Sequence, residues 1–397
     1  MVSAAGANTV AAGTVAANTV AAVAVGERRF EVREFPLPAL GETDGLLAVE
    51  ASGVCGSDLK KYAVVGMKPT ILGHETVGRV VAAGAIARAQ WGVAEGDRVL
   101  LEEYLPCGHC AWCRSGEYRS CAETDNERSG ALRYGSTPVT VPPALWGGYA
   151  GHQYLHLRSV LHPVPGHVPA AHATFAIPLS NGIQWCQLDA GVQPGDTVVV
   201  QGPGQQGIAN LLAARSAGAE RVVVAGLSRD GDRLDVARRL GADMTVEADV
   251  DDLAEVVLDI TGGRGADVVV DCSGGGGMTL VSGARAVRKR GKLVAASGAA
   301  KSAPPAPPET LADVLALLRK KQLTVHGVRG HSYAAVHRAV DLIAGGTLPL
   351  ELVCGEPYPL EEIDAALKAA AGGPDARSLH LSVRAVPAAP AAPAVPA

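Results

Sequence analysis

The segment Thr197-Val-Val-Val-Gln-Gly202-Pro-Gly204-Gln-Gln-Gly207-Ile208 joins a run of valines, a glycine-rich turn and the start of a helical pattern. The valines predict a buried strand at Thr197–Gln201, and the alanine- and leucine-rich residues that follow predict a helix at Ile208–Ala217. The G-x-G-x-x-G spacing lets the backbone approach a pyrophosphate that the helix N-terminus stabilises. This order predicts a dinucleotide site, and the alternative is glycines that only form a tight turn. The candidate contacts are Gly202, Gly204, Gln205, Gln206 and Gly207.

The same alternation of strand and helix continues towards the C-terminus. It comprises strands at Arg221–Ala225, Asp267–Asp271, Gly291–Ala295 and Leu323–Gly327, with a helix at Arg233–Leu240. Such a pattern is typical of a doubly wound parallel sheet covered by helices. The sequence therefore predicts an α/β dinucleotide-binding domain over residues 178–326.

The end of the second strand indicates which dinucleotide is bound. An acidic residue about 20 positions after the glycine turn would bind the ribose hydroxyl of NAD, but Gly226 occupies that position. Ser228 and Arg229 suit the additional phosphate of NADP, whereas Asp230 and Asp232 could serve NAD in a longer loop. The pattern favours NADP and leaves NAD open. Arg233 and Ser297 complete the set of candidate cofactor contacts.

Residues 20–177 have a different pattern, in which short β-type runs are separated by Gly and Pro. These runs are Leu46–Ala51, Val77–Ala82, Arg98–Leu101 and Tyr154–Leu157. They predict a β-rich domain with a boundary near Ile177, and a chain of 397 residues is long enough for two domains. A largely helical segment follows at 327–384. Residues 1–19 form a low-complexity leader with a five-residue quasi-repeat, and 385–397 form a Pro/Ala-rich tail.

Composition excludes several classes of partner. The formal net charge is −5, so the chain offers no basic field for nucleic acid or for an anionic membrane. No run reaches the roughly 18 apolar residues that a membrane span requires. Of eight cysteines, four are too scattered to predict a disulfide framework, namely Cys55, Cys186, Cys272 and Cys354. We therefore expect a cytoplasmic protein.

The other four cysteines form a compact group, Cys107-x2-Cys110-x2-Cys113-x7-Cys121. Two-residue spacers allow neighbouring thiolates to reach one tetrahedral zinc ion. Four thiolates leave no open coordination position, so the pattern predicts a structural zinc. The alternatives are a disulfide cluster or unrelated thiols.

A second group of donors lies upstream, in Gly53-Val-Cys55-Gly-Ser57-Asp58-Leu-Lys60 and Gly73-His74-Glu75. A thiolate, an imidazole and a carboxylate suit a catalytic zinc whose fourth position is open. Asp58 is a candidate to orient the His74 imidazole. Ser57 is a candidate to contact the substrate oxygen and pass its proton outward. The alternative is that all of these are ordinary turn and core residues.

Together these motifs, with Gly147-Gly-Tyr-Ala150 and Gly265–Gly274, resemble the zinc-dependent medium-chain dehydrogenases, the alcohol, threonine and sorbitol dehydrogenase family. The resemblance covers roughly residues 20–384. It implies a GroES-like catalytic domain, a Rossmann domain after it, and a C-terminal segment that returns to the catalytic domain. It also implies hydride transfer between NAD or NADP and a small alcohol or carbonyl substrate, in homodimers or homotetramers.

The chain departs from this family at two positions. Members similar to sorbitol dehydrogenase have a glutamate that supports the zinc water in a Glu-Pro-Leu-Ser sequence, whereas this chain has Ile177-Pro-Leu-Ser. Isoleucine cannot bind zinc, so the catalytic ion would rest on Cys55, His74 and Glu75. Lys60 stands where many relatives carry a relay histidine, and burial would lower its pKa enough for that role. A surface lysine is the alternative.

Three functions remain open from the sequence. The first is a zinc-dependent dehydrogenase acting on a secondary alcohol or polyol. The second is a zinc-free NADPH-dependent reductase of the same superfamily, which would not need the Cys55, His74 and Glu75 trio. The third is a non-catalytic dinucleotide-binding protein that keeps only the structural zinc, and Ile177 is the feature in its favour.

Overall fold

The computed structural model describes residues 18–125, 130–296, 309–372 and 378–385. Residues 1–17 of the expected leader and the tail beyond residue 385 lie outside this part of the chain. The last two residues of that leader, Asn18 and Thr19, begin the first strand because they pair with Pro36 and Phe35.

Antiparallel strands form two sheets in the N-terminal half of the chain. Their strands are β1 (Asn18–Gly26), β2 (Arg29–Pro36), β3 (Gly45–Gly53), β4 (Thr70–Ile71), β5 (Glu75–Ala83), β6 (Arg98–Leu101), β7 (His152–Leu155) and β8 (Leu161–Pro163). The smaller sheet has the order β2-β1-β4. In the larger sheet β3 pairs with β5, β5 with β6 and β6 with β8, while β7 pairs with β3. The β-rich domain predicted from the short runs is confirmed.

Parallel strands form the second half of the fold. They are β9 (Thr197–Gln201), β10 (Arg221–Gly226), β11 (Met244–Glu247), β12 (Ala266–Asp271), β13 (Val287–Ala295) and β14 (Thr324–Gly327). Their order among the described residues is β11-β10-β9-β12-β13-β14, and all of these pairs are parallel. The order reverses direction beside β9, so the carboxyl ends of β9 and β12 border a crevice of the kind that binds ligands in open α/β sheets.

Alternation along β9 explains why helices cover both faces of this sheet. Val198 and Val200 pack in one hydrophobic core with Ile208, whereas Val199 packs in another with Val257. Fully buried parallel strands need such cover on each side. The doubly wound Rossmann architecture is therefore confirmed. Its helices are α6 (Gln205–Ser216), α7 (Gly231–Arg239), α8 (Leu253–Ile260), α9 (Gly277–Ala286) and α10 (Glu309–Lys321).

The remaining helices lie in the β-rich half, between the two halves and after the parallel sheet. They are α1 (Gly56–Tyr62), α2 (Ala85–Trp91), α3 (Ala111–Arg114), α4 (Ala170–Thr174), α5 (Ala176–Gly182), α11 (Tyr333–Ala344) and α12 (Ile363–Ala370). A π-helix at Ile183–Asp189 continues α5. Short 3₁₀ turns occur at Tyr118–Ser120, Ala122–Thr124, Ser228–Asp230, Leu350–Leu352 and Leu360–Glu362.

The C-terminal segment contacts the β-rich half of the molecule. Two short strands, β15 (Tyr358–Pro359) and β16 (Ser382–Arg384), pair with each other, and β16 also pairs with β3. The pair Ser382 and Gly53 places residue 380 close to the start of β5, since Gly53 is also paired with Glu75. Among the described residues, no helix combines the length and apolar character that a membrane span requires.

Candidate active site

The four clustered cysteines converge on one point of the lobe at residues 107–121. Their sulfurs lie within 4.8 Å of one another, and the Sγ of Cys113 is 3.8 Å from that of Cys107 and 3.5 Å from that of Cys110. Sulfurs around a tetrahedral zinc ion are about 3.8 Å apart, given Zn–S bonds of about 2.3 Å. All four thiols are free of disulfides. The donor set and its spacing fit a closed zinc site.

The second candidate site combines Cys55, His74 and Glu75, whose ligand atoms also lie within 4.8 Å of one another. Pairing of β3 with β5 brings them together, because Gly53 lies opposite Glu75 and Cys55 follows only two residues later, at the start of α1. Gly53 is required here, since an added Cβ would lie 2.2 Å from Glu75 Oε2. The three donors fit a zinc ion with an open fourth position.

Asp58 is not one of the three candidate ligands but contacts two of them, His74 and Cys55. Its Oδ1 lies 3.4 Å from His74 Nδ1, and its Oδ2 accepts hydrogen bonds from the Cys55 N–H and the Tyr149 hydroxyl, both at 3.0 Å. The contact with Nδ1 directs Nε2 of the imidazole away from the carboxylate, as in the carboxylate–histidine–zinc arrangement. Ser57 Oγ is 3.5 Å from that Nε2. The sequence does not predict this role of Tyr149, because its contact with Asp58 spans 91 residues.

Burial controls the electrostatics of these groups. Loss of solvent raises the pKa of Glu75 to about 8. Burial by itself lowers the pKa of His74, but the Asp58 and Glu103 carboxylates overcome that effect and raise it. Protons and a metal ion therefore compete for the same donors, and metal binding would release protons.

Two ion-pair partners lie next to this cluster. Arg133 is 8% exposed and donates to Glu103 through Nε at 3.0 Å, with a second contact from Nη2 at 2.6 Å. The Arg133 charge holds the pKa of Glu103 well below its usual range despite burial. Lys61 donates to Gly135 O at 2.8 Å and Ser136 Oγ at 2.5 Å. These contacts fix residues 133–136 against the candidate metal site.

Lys60 and Ile177 are the two positions at which the sequence departs from the family pattern, and the structure shows the surroundings of both. Lys60 is exposed on α1, whereas Lys61 beside it is half-buried, and burial lowers the pKa of Lys61. The burial that a relay role requires is thus found at Lys61. Ile177 is 4% exposed and packs in the core between the two halves of the molecule.

A cavity of about 600 Å³ lies at the carboxyl ends of β9, β10 and β12, and so includes the β9–β12 edge where the sheet order predicts a ligand crevice. Gly202 and Gly204 of the glycine turn line it, together with Arg229 and Arg233. Gly226 also lines it, and an added Cβ there would lie 2.8 Å from Pro203 Cγ, so the fold leaves no space for an acidic side chain at that position.

The other predicted cofactor contacts have different surroundings. Ser228 binds Asp249 through both its N–H and its hydroxyl, at 2.7 and 2.6 Å, rather than lining the cavity. Asp230 lines the cavity beside Arg229 and Arg233 and also accepts the Leu227 N–H at 3.0 Å. Gln206 Oε1 is buried without a hydrogen-bond partner among the described residues. Ser297 lies outside the described residues.

Gln205 links the dinucleotide turn to the candidate metal site. Its amide nitrogen is 3.5 Å from Glu75 Oε2 and 2.9 Å from His380 Nδ1. No sequence motif predicts His380, because it lies far along the chain from the residues that it contacts. Burial lowers the pKa of His380 to about 3, so its ring is neutral.

Comparison with known proteins identifies two domains by family models. Residues 41–166 match the alcohol dehydrogenase GroES-like domain, and residues 207–345 match the zinc-binding dehydrogenase domain. The chain is 39% identical over 354 residues to a Mycobacterium tuberculosis protein named probable alcohol dehydrogenase, an alignment covering 88% of this chain and 93% of that one. It is 30% identical over 371 residues to the erythritol/L-threitol dehydrogenase of Mycolicibacterium smegmatis, covering 90% and 96%.

Solved structures give the same result. An alcohol dehydrogenase from Thermotoga maritima superposes with a TM-score of 0.78 at 25% identity, covering 92% of this chain and 99% of that one. A Sinorhizobium meliloti protein described as a zinc-binding dehydrogenase and bound to NADP gives a TM-score of 0.74 at 25% identity, with the same coverage.

Proposed function

Because the chain belongs to the zinc-type medium-chain dehydrogenase family, we propose that it transfers hydride between NAD(P) and a secondary alcohol or polyol-like substrate. One observation carries this proposal. The donors Cys55, His74 and Glu75, of which His74 and Glu75 are buried and Cys55 is partly buried, lie against the dinucleotide turn, since the Gln205 amide is 3.5 Å from Glu75 Oε2. A substrate oxygen at the open metal position would therefore be near a bound nicotinamide.

The residues of this site have separate tasks. A zinc ion held by Cys55, His74 and Glu75 would supply Lewis acidity to the substrate oxygen. Asp58 keeps the His74 ring oriented, and Ser57 is close enough to the metal-facing nitrogen to accept the substrate proton and pass it outward. Half-buried Lys61, in place of the exposed Lys60, would complete the path to solvent.

The cofactor proposed here is NADP rather than NAD. Arg229 and Arg233 line the cavity at the end of β10, where they would contact a 2′-phosphate. Pro203 leaves no space for an acid at Gly226 that could bind the ribose hydroxyl of NAD.

The proposal also covers the domain boundaries, the cellular location, the oligomeric state and the substrate class. We propose a GroES-like catalytic domain over 20–177, a Rossmann domain over 178–326, and a C-terminal segment over 327–384. The protein would act in the cytoplasm as a homodimer or homotetramer on a small-molecule alcohol or carbonyl. The similarity to the erythritol/L-threitol dehydrogenase favours a polyol among the substrates to be tried first.

Metal analysis tests this function. The wild type should contain about two zinc ions per chain, and Cys55→Ser should contain about one and lose turnover with NADP(H). Cys186→Ser is the matched control, because Cys186 is a buried thiol that donates to Asn210 at 3.2 Å and a serine hydroxyl can do the same. It should keep both ions.

The same measurement separates the alternatives. At most one zinc ion per chain, with reduction of carbonyls or enones by NADPH, would indicate the zinc-free reductase. One ion with dinucleotide binding and no turnover on an alcohol and carbonyl panel would indicate the non-catalytic protein.

A further inference from the structure

Four polar side chains from distant parts of the chain form one line of hydrogen bonds behind the candidate metal site. Thr174 comes from α4, His380 from the segment before β16, Gln205 from the start of α6 and Glu75 from the start of β5. His380 Nε2 lies 2.8 Å from Thr174 Oγ1, and its Nδ1 lies 2.9 Å from the Gln205 amide nitrogen. Three of the four side chains are fully or almost fully buried, and Gln205 is partly buried.

Counting donors fixes the direction of every bond in this line. The single hydroxyl proton of Thr174 goes to Ala171 O at 2.8 Å, so Thr174 Oγ1 must accept from His380 Nε2–H. A neutral imidazole with its proton on Nε2 has a bare Nδ1, which accepts from Gln205. The second amide proton of Gln205 then points to Glu75 Oε2 at 3.5 Å.

Counting the donors also shows how His380 and Glu75 would interact if the Gln205 side-chain amide were removed. His380 Nδ1 and Glu75 Oε2 are 3.9 Å apart, and both would be acceptors once Glu75 is the carboxylate that a metal ion requires. They repel each other unless a group with two protons lies between them, and the Gln205 NH₂ is that group. The orientation of Glu75 therefore depends on Gln205.

Gln205 has a second role through its backbone. It follows Gly204, the N-cap of α6, and is the first residue of the helix whose N-terminus faces the dinucleotide cavity. A pyrophosphate bound at that N-terminus restrains the backbone of residue 205. The side chain of the same residue holds a carboxylate oxygen of the metal trio, so one residue connects the two binding sites.

We infer that Gln205 is a positioning residue that couples dinucleotide binding to metal binding, through the line Thr174–His380–Gln205–Glu75. The inference rests on the proposed function, because it requires a metal ion at Cys55, His74 and Glu75. Linkage makes the coupling reciprocal: each ligand strengthens the binding of the other by the same factor. A factor of about tenfold is typical of such couplings.

The test measures zinc affinity by chelator competition, with and without saturating NADPH, on the full-length protein. The lobe ion is identified with Cys55→Ser, which should bind that ion alone. In the wild type, NADPH should raise the affinity for the second zinc ion about tenfold, and the ratio of the affinities with and without NADPH measures the coupling. Gln205→Ala should bring that ratio close to one, and Gln205→Glu should weaken zinc binding in both conditions because it places a carboxylate where the donor is needed.

Gln206→Ala is the matched control, since Gln206 belongs to the same turn and has no contact with His380 or Glu75 among the described hydrogen bonds. It should keep the wild-type ratio even if the affinity for NADPH changes. A wild-type ratio in Gln205→Ala, or the absence of any effect of NADPH on the wild type, would overturn the coupling and leave the dehydrogenase proposal intact. Failure of the wild type to bind a second zinc ion would overturn both.

Discussion

At the scale of single residues, Asp58 shows how one buried carboxylate organises a site. One oxygen faces His74, and the other accepts from the Cys55 N–H and the Tyr149 hydroxyl. The sequence could predict Cys55, His74, Glu75 and Asp58 because they lie in two short motifs. It could not predict Tyr149, Gln205 or His380 in their observed contacts, because those contacts depend on the tertiary fold and not on spacing along the chain.

Tyr149→Phe should weaken the support of the metal trio without removing a ligand. Loss of the hydroxyl leaves Asp58 with one donor fewer, so its hold on His74 loosens and zinc affinity at this site should fall about tenfold. Chelator competition and kcat measure this effect. The control is Tyr134→Phe, since Tyr134 is equally buried but bonds to Ser159 at 2.7 Å. Equal zinc loss in both variants would show that only general stability had changed.

Arg233→Gln should reduce discrimination between the two nicotinamide cofactors. Removal of a cation from the cavity at the end of β10 deprives a 2′-phosphate of a charge-assisted contact, so kcat/KM for NADPH should fall about tenfold or more while that for NADH stays nearly constant. Initial rates with both cofactors measure the ratio. The control is Arg238→Gln on the same helix, an exposed residue paired with Asp235. A parallel loss with NADPH and NADH would contradict the assignment.

At the scale of elements, strands and helices from both halves meet at Glu102, directly after β6. His162 of β8 lies 2.6 Å from Glu102, and His331, which precedes α11, lies 3.1 Å from the same carboxylate. The Tyr118 hydroxyl also donates a hydrogen bond to Glu102. All four side chains are buried. Burial alone would raise the pKa of Glu102, but the hydrogen bonds from His162 and His331 lower it to about 2. A buried carboxylate is thus kept ionised by its partners.

This network predicts how stability changes with pH. The folded-state pKa of about 2 lies below the usual glutamate value of 4.5, so the stabilisation is complete above about pH 4.5 and is lost as the pH falls towards 2. The difference corresponds to about 3 kcal/mol of unfolding free energy. Glu102→Gln should be less stable at pH 7 by an amount of that order, and the difference from the wild type should shrink on acidification.

Urea unfolding at pH 7, 5 and 3.5 measures the difference between the two proteins. Glu361→Gln, at an exposed position, serves as the control and should follow the wild type at every pH. A difference for Glu102→Gln that stays constant across this range would contradict the role of the charge.

The bounds of some strands could not be predicted from the sequence, because they depend on the strand with which each one pairs. The runs at Arg98–Leu101 and Thr197–Gln201 are observed as strands with those bounds, and each contains three consecutive apolar residues. The strand predicted at Tyr154–Leu157 is observed as β7, two residues earlier. Its partner β3 begins at Gly45, which pairs with Leu155, so the partner and not the local sequence sets the end of β7.

At the scale of the whole molecule, the four-cysteine lobe bears on the connection between the two halves. Arg119 of the lobe lies 3.5 Å from Asp189 of the π-helix, and the Tyr333 N–H contacts Gly116 O at 3.4 Å. Trp185 of the π-helix donates to Gly330 O at 3.0 Å. The zinc predicted for the lobe would therefore stabilise the joint between the domains as well as its own loop.

Cys113→Ser should loosen this joint without removing the metal of the Cys55 site. Loss of one lobe ligand should increase amide hydrogen exchange about tenfold in residues 183–189 and 329–333, which corresponds to about 1.4 kcal/mol of local stability. Mass spectrometry of exchanged peptides measures it. Ser115→Ala, an exposed position in the same lobe, should leave these segments unchanged. Faster exchange confined to residues 107–121 would show that the lobe acts only on itself.

The pairing of β16 with β3 has a consequence for how the protein matures. Synthesis proceeds from the N-terminus, so the four lobe cysteines leave the ribosome early, within a continuous stretch of 15 residues that can bind its ion at once. The open site also has its three ligands early, but His380, on which the line through Gln205 and Glu75 depends, emerges among the last described residues. The lobe would therefore be able to bind its ion while later residues are still being synthesised, whereas the open site would reach its finished geometry only after residue 380 has emerged.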